Sequence, residues 1–365
     1  MVIFNILFAV IFGYFAFFMA YFLFFAVAGA VSRPKKYTRT EQLGKFLILI
    51  PAYKEDGIII NTATQVLNHD YPKDKFEVAV IADKLQPATL AKLSTMPLKV
   101  VEVKFETSTK ARSLNVALAE LPGNYDYVLI LDADNIIEKG CLHSFNHALQ
   151  SGFKAVQGHR TAKNKNTPVA VLDAIAEEAN NNIFRIGHRA VGFSSALIGS
   201  GMAFDHTYYK KIMDGVTEMG GEDQEIELRI LGRRDKIEYN IGAVIYDEKV
   251  QNTEVLAKQR TRWIAGQFAF LARYGSEGIP QFFKGNLDYA NKILQKLIPP
   301  RVIMVGLIPV LALLAFALNL SVNWWLWLSL LGVYTLAMLF SIPKHFYTAD
   351  LLKALFYIPK VIFSM

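Results

Sequence analysis

Charge is what this sequence has least of, and its absence is local. No Asp, Glu, Lys or Arg occurs from Met1 to Ser32, nor from Val302 to Pro343. Charged residues make up 19% of the chain and hydrophobic residues 53%. Ordinary soluble domains carry about 25% charged residues, so the apolar excess belongs in membrane segments. Disorder is excluded, because it needs low hydrophobicity and high net charge. The single cysteine, Cys141, excludes an intramolecular disulfide and a cysteine-based zinc site. There is no Walker glycine loop, which argues against a P-loop NTPase. Internal repeats and low-complexity linkers are also missing. At roughly 150 residues per domain, 365 residues suggest about two domains. A net charge of +7 on such a chain reads as cytoplasmic loop bias and affinity for anionic lipid or phosphate, and only weakly as nucleic-acid binding.

The first charge-free run exceeds the ~20 residues that span a bilayer. A cleaved signal peptide is the rival, with Ala28-Gly29-Ala30 as a cleavage site. The run lacks a basic start, however, and is longer than the ~7–15 residues of a signal core. Arg33, Lys35, Lys36 and Arg39 follow it, which places the N-terminus outside and the next segment in the cytoplasm. The second run fits two helices broken at residues 319–323. Trp324, Trp325 and Trp327 open the later one, where an aromatic belt belongs. The tail from His345, with Lys353 and Lys360, reads as an interfacial helix. It stops at Ser364-Met365 without a polar terminus, and the natural protein is expected to continue.

Between Arg33 and about Leu256 apolar runs alternate with helical patterns. The runs are Lys45–Pro51, Phe76–Ala82, Leu98–Phe105, Tyr125–Asp132 and Phe153–Gly158. The helices expected between them are Gly57–Asn68, Pro87–Leu93, Lys110–Leu121 and Glu138–Leu149. This alternation predicts an α/β domain with a mostly parallel, buried sheet. Such sheets bind ligands at the carboxyl ends of their strands. Three strands end in carboxylates there: Glu55 after Pro51-Ala52-Tyr53-Lys54, then Asp83, then Asp132-Ala133-Asp134. Any one Asp could be a turn former or helix cap. Two carboxylates at i and i+2 leaving an apolar strand can share Mg²⁺ or Mn²⁺ with a substrate phosphate.

Two further motifs carry chemistry. Gly220-Gly221-Glu222-Asp223 precedes a helix predicted over Gln224–Leu231. It reads as an N-cap with acids in the first turn, or as a rigidly held general base. Gln259-Arg260-Thr261-Arg262-Trp263 lies in an amphipathic helix predicted over 254–273. Gln259, Arg262 and Trp263 share one face, and Ile264, Phe268 and Leu271 form an apolar stripe on another. Arg and Trp there either anchor the helix to head groups or hold phosphate and stack on a sugar.

The order of these motifs resembles the membrane-bound family 2 glycosyltransferases, which include the cellulose, chitin and hyaluronan synthases. Lys110-Ala111-Arg112-Ser113-Leu114-Asn115 resembles a segment of that family, and Ile198-Gly199-Ser200-Gly201-Met202 falls where the family lines its acceptor site. The resemblance covers residues 45 to 270 and implies a GT-A fold. It implies that Pro51, Ala52, Tyr53, Glu55 and Asp83 hold uridine. Lys110 and Asp132 would contact nucleotide and diphosphate, and Asp134, with Asp132, would ligate Mg²⁺ or Mn²⁺. Asp223 would be the catalytic base. Gln259 and Arg262 would contact the diphosphate, and Gly201, Met202, Glu222 and Trp263 the acceptor. The chain departs from the family in Asp83-Lys84-Leu85, which lacks the commoner acidic-serine cluster, and in Gly-Glu-Asp where cellulose synthases have Thr-Glu-Asp. Three expected spans are also fewer than secretion-coupled synthases use.

The implied protein is an inverting glycosyltransferase with a UDP-sugar donor. It polymerises a glycan, or adds one sugar to a lipid as the similar ceramide glucosyltransferases do. A non-enzymatic transporter subunit is disfavoured by spans without charge. The expected divisions are a membrane helix at 1–32, a cytoplasmic GT-A domain at 33–253, interfacial helices at 254–301, a membrane hairpin at 302–343 and an interfacial segment at 344–365. The expected partners are the donor, a glycan or lipid acceptor and the bilayer of a bacterial-type inner or plasma membrane, with no nucleic acid; a homo-oligomer is compatible with this.

Overall fold

The protein is described by a computed structural model covering residues 2–33, 35–216 and 221–358. Gly220, Lys360 and the Ser364-Met365 terminus lie outside the described residues. Helix α1 (Val2–Val31) precedes β1 (Phe46–Tyr53), α2 (Ile59–Leu67), β2 (Phe76–Asp83), α3 (Pro87–Ser94) and β3 (Lys99–Val103). Then come α4 (Lys110–Glu120), β4 (Tyr127–Ile130), β5 (Ile136–Ile137), α5 (Cys141–Gln150) and β6 (Ala155–Ala162). Helix α6 (Pro168–Asn180) runs through a π-helical segment (Asn181–Gly187) into α7 (His188–Ala190). Next are β7 (Met202–Asp205), α8 (His206–Met213), α9 (Glu222–Gly232), β8 (Ile237–Asp247) and α10 (Thr253–Tyr274). The chain continues through α11 (Gly278–Phe283), α12 (Leu287–Lys296), α13 (Arg301–Ala317), α14 (Trp324–Ser341) and α15 (Ala349–Phe356).

The sheet has the order β3-β2-β1-β4-β7-β6-β8-β5. Its first four strands are parallel, as the alternation predicts. Strand β7 runs antiparallel to both β4 and β6, while β6 and β8 are parallel to each other. Because side chains alternate along a strand, β1 feeds two cores. Phe46, Ile48 and Ile50 face α2 and α5, while Leu47 and Leu49 face α4, α8 and α9. Both faces are covered, so the strands are apolar throughout.

A third core lies among the apolar helices. Trp327 is fully buried against Phe8 and Phe12, with ring centroids 5.1 Å apart in each pair. Only Trp324 and Trp325 remain exposed as a belt would require. Helices α1 and α14 are long and apolar enough to cross a membrane; α12 and α13 would make a third span only as a pair bent by 61°. Helix α13 has 17 residues, short of the ~20 of a full span. Ser321 N donates to Asn5 Oδ1 at 3.2 Å, so the 319–323 turn and the start of α1 share one end of the bundle. On α10 the predicted apolar stripe is not the packed face. Leu256 and Phe270 are buried, whereas Phe268 is 67% exposed.

Candidate active site

Parallel register brings the strand ends to one edge. Tyr53 lies opposite Asp83, and Leu131 N donates to Leu49 O at 3.0 Å beside them. Strands β1 and β2 both run into left-handed lysines, Lys54 (φ 57°) and Lys84 (φ 56°), whose ammonium groups flank the half-exposed Tyr53 ring at 5.3 and 5.4 Å. Ala52 and Asp83 are buried and Pro51 is partly buried. Asp83 Oδ1 has no hydrogen-bond partner among the described residues. An unpaired buried acceptor is costly, so it marks a place for a donor from outside the chain. Burial and then the Asp132 and Asp56 charges raise the Glu55 pKa, which places its carboxyl in the field of the acidic motif.

The Thr109 side chain caps α4 by accepting from Arg112 N at 3.3 Å, which fixes Lys110 at the first helical position. Lys110 Nζ lies 2.5 Å from Asp132 Oδ1, 2.7 Å from Gly199 O and 3.5 Å from Glu222 Oε1. Burial alone would lower the Lys110 pKa; the Asp132 and Glu222 carboxylates outweigh it and hold the ammonium above its ordinary value. Burial also pushes the Glu222 carboxyl up, with Lys110 offsetting only part of the effect. A methyl placed on Gly199 would lie 3.7 Å from Glu222 Oε1 and 3.8 Å from Asp223 Oδ2, so the glycine loop and the start of α9 face each other closely.

Asp132, Asp134 and Asp247 present carboxylate oxygens within 4.8 Å of one another. Burial, then the charges of Asp247 and Asp132, push the Asp134 carboxyl up to about 6. Anions held this close, on donors that suit hard cations, fit Mg²⁺ or Mn²⁺.

Sequence reasoning missed Asp247 and the groups that hold it. Lys249 Nζ is 2.7 Å from Asp247 Oδ2 and also pairs with Glu177. Arg160 binds Glu177 Oε1 at 2.7 Å and stands 3.8 Å from Asp247. Buried Gln157 was missed as well. Its Nε2 donates to Ser200 O (2.9 Å) and Gly201 O (3.1 Å), and its Oε1 accepts from Ile198 N at 3.0 Å. That single side chain fixes the loop whose Gly199 O holds Lys110 and whose Ser200 Oγ accepts from Asp132 N. An apolar run ending in Asp, Ala243-Val244-Ile245-Tyr246-Asp247, was the available signal for the missed ligand.

Other expected residues do not converge on this edge. Met202 is fully buried in the core at the start of β7 and offers an acceptor no surface; Gly201 lies in the loop before it. Gln259, Arg262 and Trp263 make no hydrogen bond or ion pair with the acidic cluster among the described residues. Arg260, not Arg262, docks α10 on α6 through Asp173 at 3.1 Å, and its guanidinium lies 5.2 Å from the Trp263 ring centroid.

Residues 44–266 match the family model described as Glycosyltransferase like family 2. The chain belongs to this family. A probable glycosyltransferase of Bacillus subtilis, YdaM, is 26% identical over 261 residues, which are 69% of this chain and 61% of that protein. Poly-beta-1,6-N-acetyl-D-glucosamine synthase of Staphylococcus aureus is 24% identical over 240 residues, covering 64% of this chain and 57% of the synthase. The chain thus spans about three fifths of the length of these curated relatives. Among solved structures, the Pyrobaculum calidifontis mannosyltransferase PcManGT, in complex with GDP-Man and Mn²⁺, aligns with a TM-score of 0.54 at 17% identity, over 89% of this chain and 95% of that one. The domain therefore has the GT-A fold, with the α/β sheet that the sequence predicts.

Proposed function

We propose that the protein is a membrane-embedded inverting glycosyltransferase that extends a polysaccharide from a UDP-sugar. One observation carries this reading: Lys110, the Asp132–Asp134–Asp247 trio and the Glu222-Asp223 helix start meet at one sheet edge. Tyr53 and Asp83 would receive the uracil, with Asp83 Oδ1 accepting its N–H. Lys110 would hold the diphosphate. Asp132, Asp134 and Asp247 would hold Mg²⁺ or Mn²⁺, which supplies charge neutralisation for a departing diphosphate. Asp223 would take the proton of the acceptor hydroxyl, whose oxygen attacks the anomeric carbon opposite the leaving group. The Staphylococcus synthase among the relatives supports a polymerising reading.

A second reading, one sugar added to a lipid, is favoured by an apolar groove of about 860 Å³. Ile279, Phe282 and Leu294 line it, beside helix α1, whose Tyr14 hydroxyl bonds Leu297 O. The deciding experiment is a screen of UDP- and GDP-sugars for nucleotide release in nanodiscs, followed by sizing of the labelled product. Release from no donor would overturn the enzyme reading, and a single-sugar lipid product would overturn polymerisation.

Two expected results follow from the assignments. Asp247→Asn should weaken Mn²⁺ binding by at least about tenfold, a loss near 1.4 kcal/mol, as read by titration calorimetry. Unchanged affinity would remove Asp247 from the ligand set. Trp263, 46% exposed, would offer its indole to the acceptor's C–H face. Trp263→Ala should then impair transfer to acceptor much more than hydrolysis of the donor by water, and shorten products. Equal losses of both in a stably inserted variant would sink the acceptor-platform role.

A further inference from the structure

A second cavity, of about 530 Å³, lies where the catalytic domain meets the end of α14. That is within the ~300–1,000 Å³ of small-molecule sites. None of the acidic trio lines it. Between Gly158 and His159 the pairing shifts register, because β8 carries three unpaired residues, 241–243, opposite this step. In a regular strand, residues 157 and 160 would point to opposite faces. Here Gln157 reaches the glycine loop and Arg160 reaches Asp247, while His159 and Thr161 line the second cavity.

One wall of the cavity is apolar, built from Val244 of β8 with Phe340 and Ile342 at the end of α14. The other is polar and anionic. Glu178, 4% exposed, accepts from Thr161 Oγ1 at 2.6 Å and from Asn181 Nδ2 at 3.4 Å. Glu138 accepts from the Tyr246 hydroxyl at 2.8 Å. Neither carboxylate has a lysine or arginine within 4.0 Å among the described residues. Arg185 reaches Glu178 only through Asn181, whose Oδ1 accepts from Arg185 at 2.8 Å. His159 stands 3.8 Å from Glu178, but burial holds its pKa below the ordinary value, so it supplies no cation near pH 7. Asn182, 9% exposed, lines the cavity and packs toward Gly29 of α1; its Oδ1 has no hydrogen-bond partner among the described residues.

The unpartnered Asn182 Oδ1 and the buried Glu178 carboxylate without a paired lysine or arginine call for a ligand with N–H donors and positive charge. The lysine of the cavity stands apart from the acids, with neither Glu178 nor Glu138 within 4.0 Å of it among the described residues. Lys165 Nζ lies 4.7 Å from the Phe346 ring centroid and the His345 ring 4.6 Å from it, and both residues line the cavity. A ligand with a positive end and a negative end matches that separation. The cavity adjoins the end of a helix long enough to span the bilayer, at the level where such a helix leaves the hydrocarbon. We propose that this cavity binds the head group of an aminophospholipid, its ammonium toward Glu178 and its phosphate beside Lys165 and His345. A primary ammonium donates three hydrogen bonds, which a quaternary ammonium cannot. The site therefore selects phosphatidylethanolamine over phosphatidylcholine. This inference rests on α14 spanning the membrane, and is independent of the sugar chemistry.

The test is native mass spectrometry of the full chain in detergent, offered phosphatidylethanolamine, phosphatidylcholine or phosphatidylglycerol with identical acyl chains. One phosphatidylethanolamine should be retained about tenfold more than either other lipid. Glu178→Gln, in which the amide oxygen still accepts from Thr161, should erase that preference. Lys165→Ala, at the rim, should weaken retention without touching the buried wall. Equal retention of the three lipids, a preference for phosphatidylglycerol, or a phosphatidylethanolamine preference that survives both substitutions would overturn the proposal. No nucleotide or sugar enters the assay, so its failure is distinct from failure of the transferase reading.

Discussion

Asp223→Asn should leave UDP-sugar affinity within a few-fold and cut turnover by about 10²–10⁴-fold, the usual worth of a positioned base. The expectation comes from the contrast between neighbouring carboxyls. Glu222 is buried and engaged with Lys110 at 3.5 Å. Asp223 is partly exposed, and its Oδ1 accepts from Gln224 N at 2.9 Å. It stands in the first turn of α9. Gly221 (φ 109°) makes that placement possible: a methyl on it would lie 2.8 Å from Asp223 Oδ1. The carboxylate thus borders the loop over Lys110 and stays partly exposed. Donor affinity from calorimetry and single-turnover transfer should be measured on the same preparation. If affinity collapses while turnover per bound substrate survives, Asp223 is a binding residue and the helix-cap reading wins.

The parts of this site that were legible in the sequence lie at the ends of parallel strands. Asp83 and Asp132-Ala133-Asp134 close apolar runs, and those runs became β2 and β4 within a few residues of the expected bounds. The missed parts lie on strands with mixed patterns. In β8, Asn240, Ile241 and Gly242 interrupt the alternation, and residues 241–243 stand unpaired where its register against β6 shifts. That shift sets which residue of β8 lies beside β6, so no periodicity could show that Asp247 comes to Arg160. Asp247 needed the pairing of β5 with β8, Ile136 opposite Tyr246, to reach Asp134, and that contact is long-range. Tertiary packing also decided what α10 buries: its amphipathic pattern identified a helix and an apolar stripe, and Phe270, outside that stripe, fills the core with Ile293 of α12. Trp327 likewise read as a belt residue until α1 covered it.

Asp134→Asn should abolish transfer, and Mn²⁺ binding to the unsubstituted protein should weaken as pH falls through about 6. Each neighbour in the trio has its own cation: Lys110 at 2.5 Å from Asp132 and Lys249 at 2.7 Å from Asp247. Asp134 has none within 4.0 Å among the described residues; its side-chain hydrogen bond is from Asn135 Nδ2 at 3.0 Å. Burial and two adjacent anions therefore make Asp134 the member that takes a proton, with its carboxyl pushed from 3.8 up to about 6. A metal ion must displace that proton, so binding should release H⁺ near pH 6 and strengthen above it. The sign for stability follows. A carboxyl with a raised folded pKa favours the metal-free fold below about pH 3.8 and loses that contribution as pH rises through about 6. Metal-free Asp134→Asn should therefore gain thermal stability relative to the metal-free unsubstituted protein as pH rises from about 4 to about 7. Added Mn²⁺ should reverse the order, because only the unsubstituted protein retains the full ligand set. Full transfer in excess EDTA, or Mn²⁺ affinity that stays flat across this pH range, would remove the ion and its carboxylate trio from the mechanism.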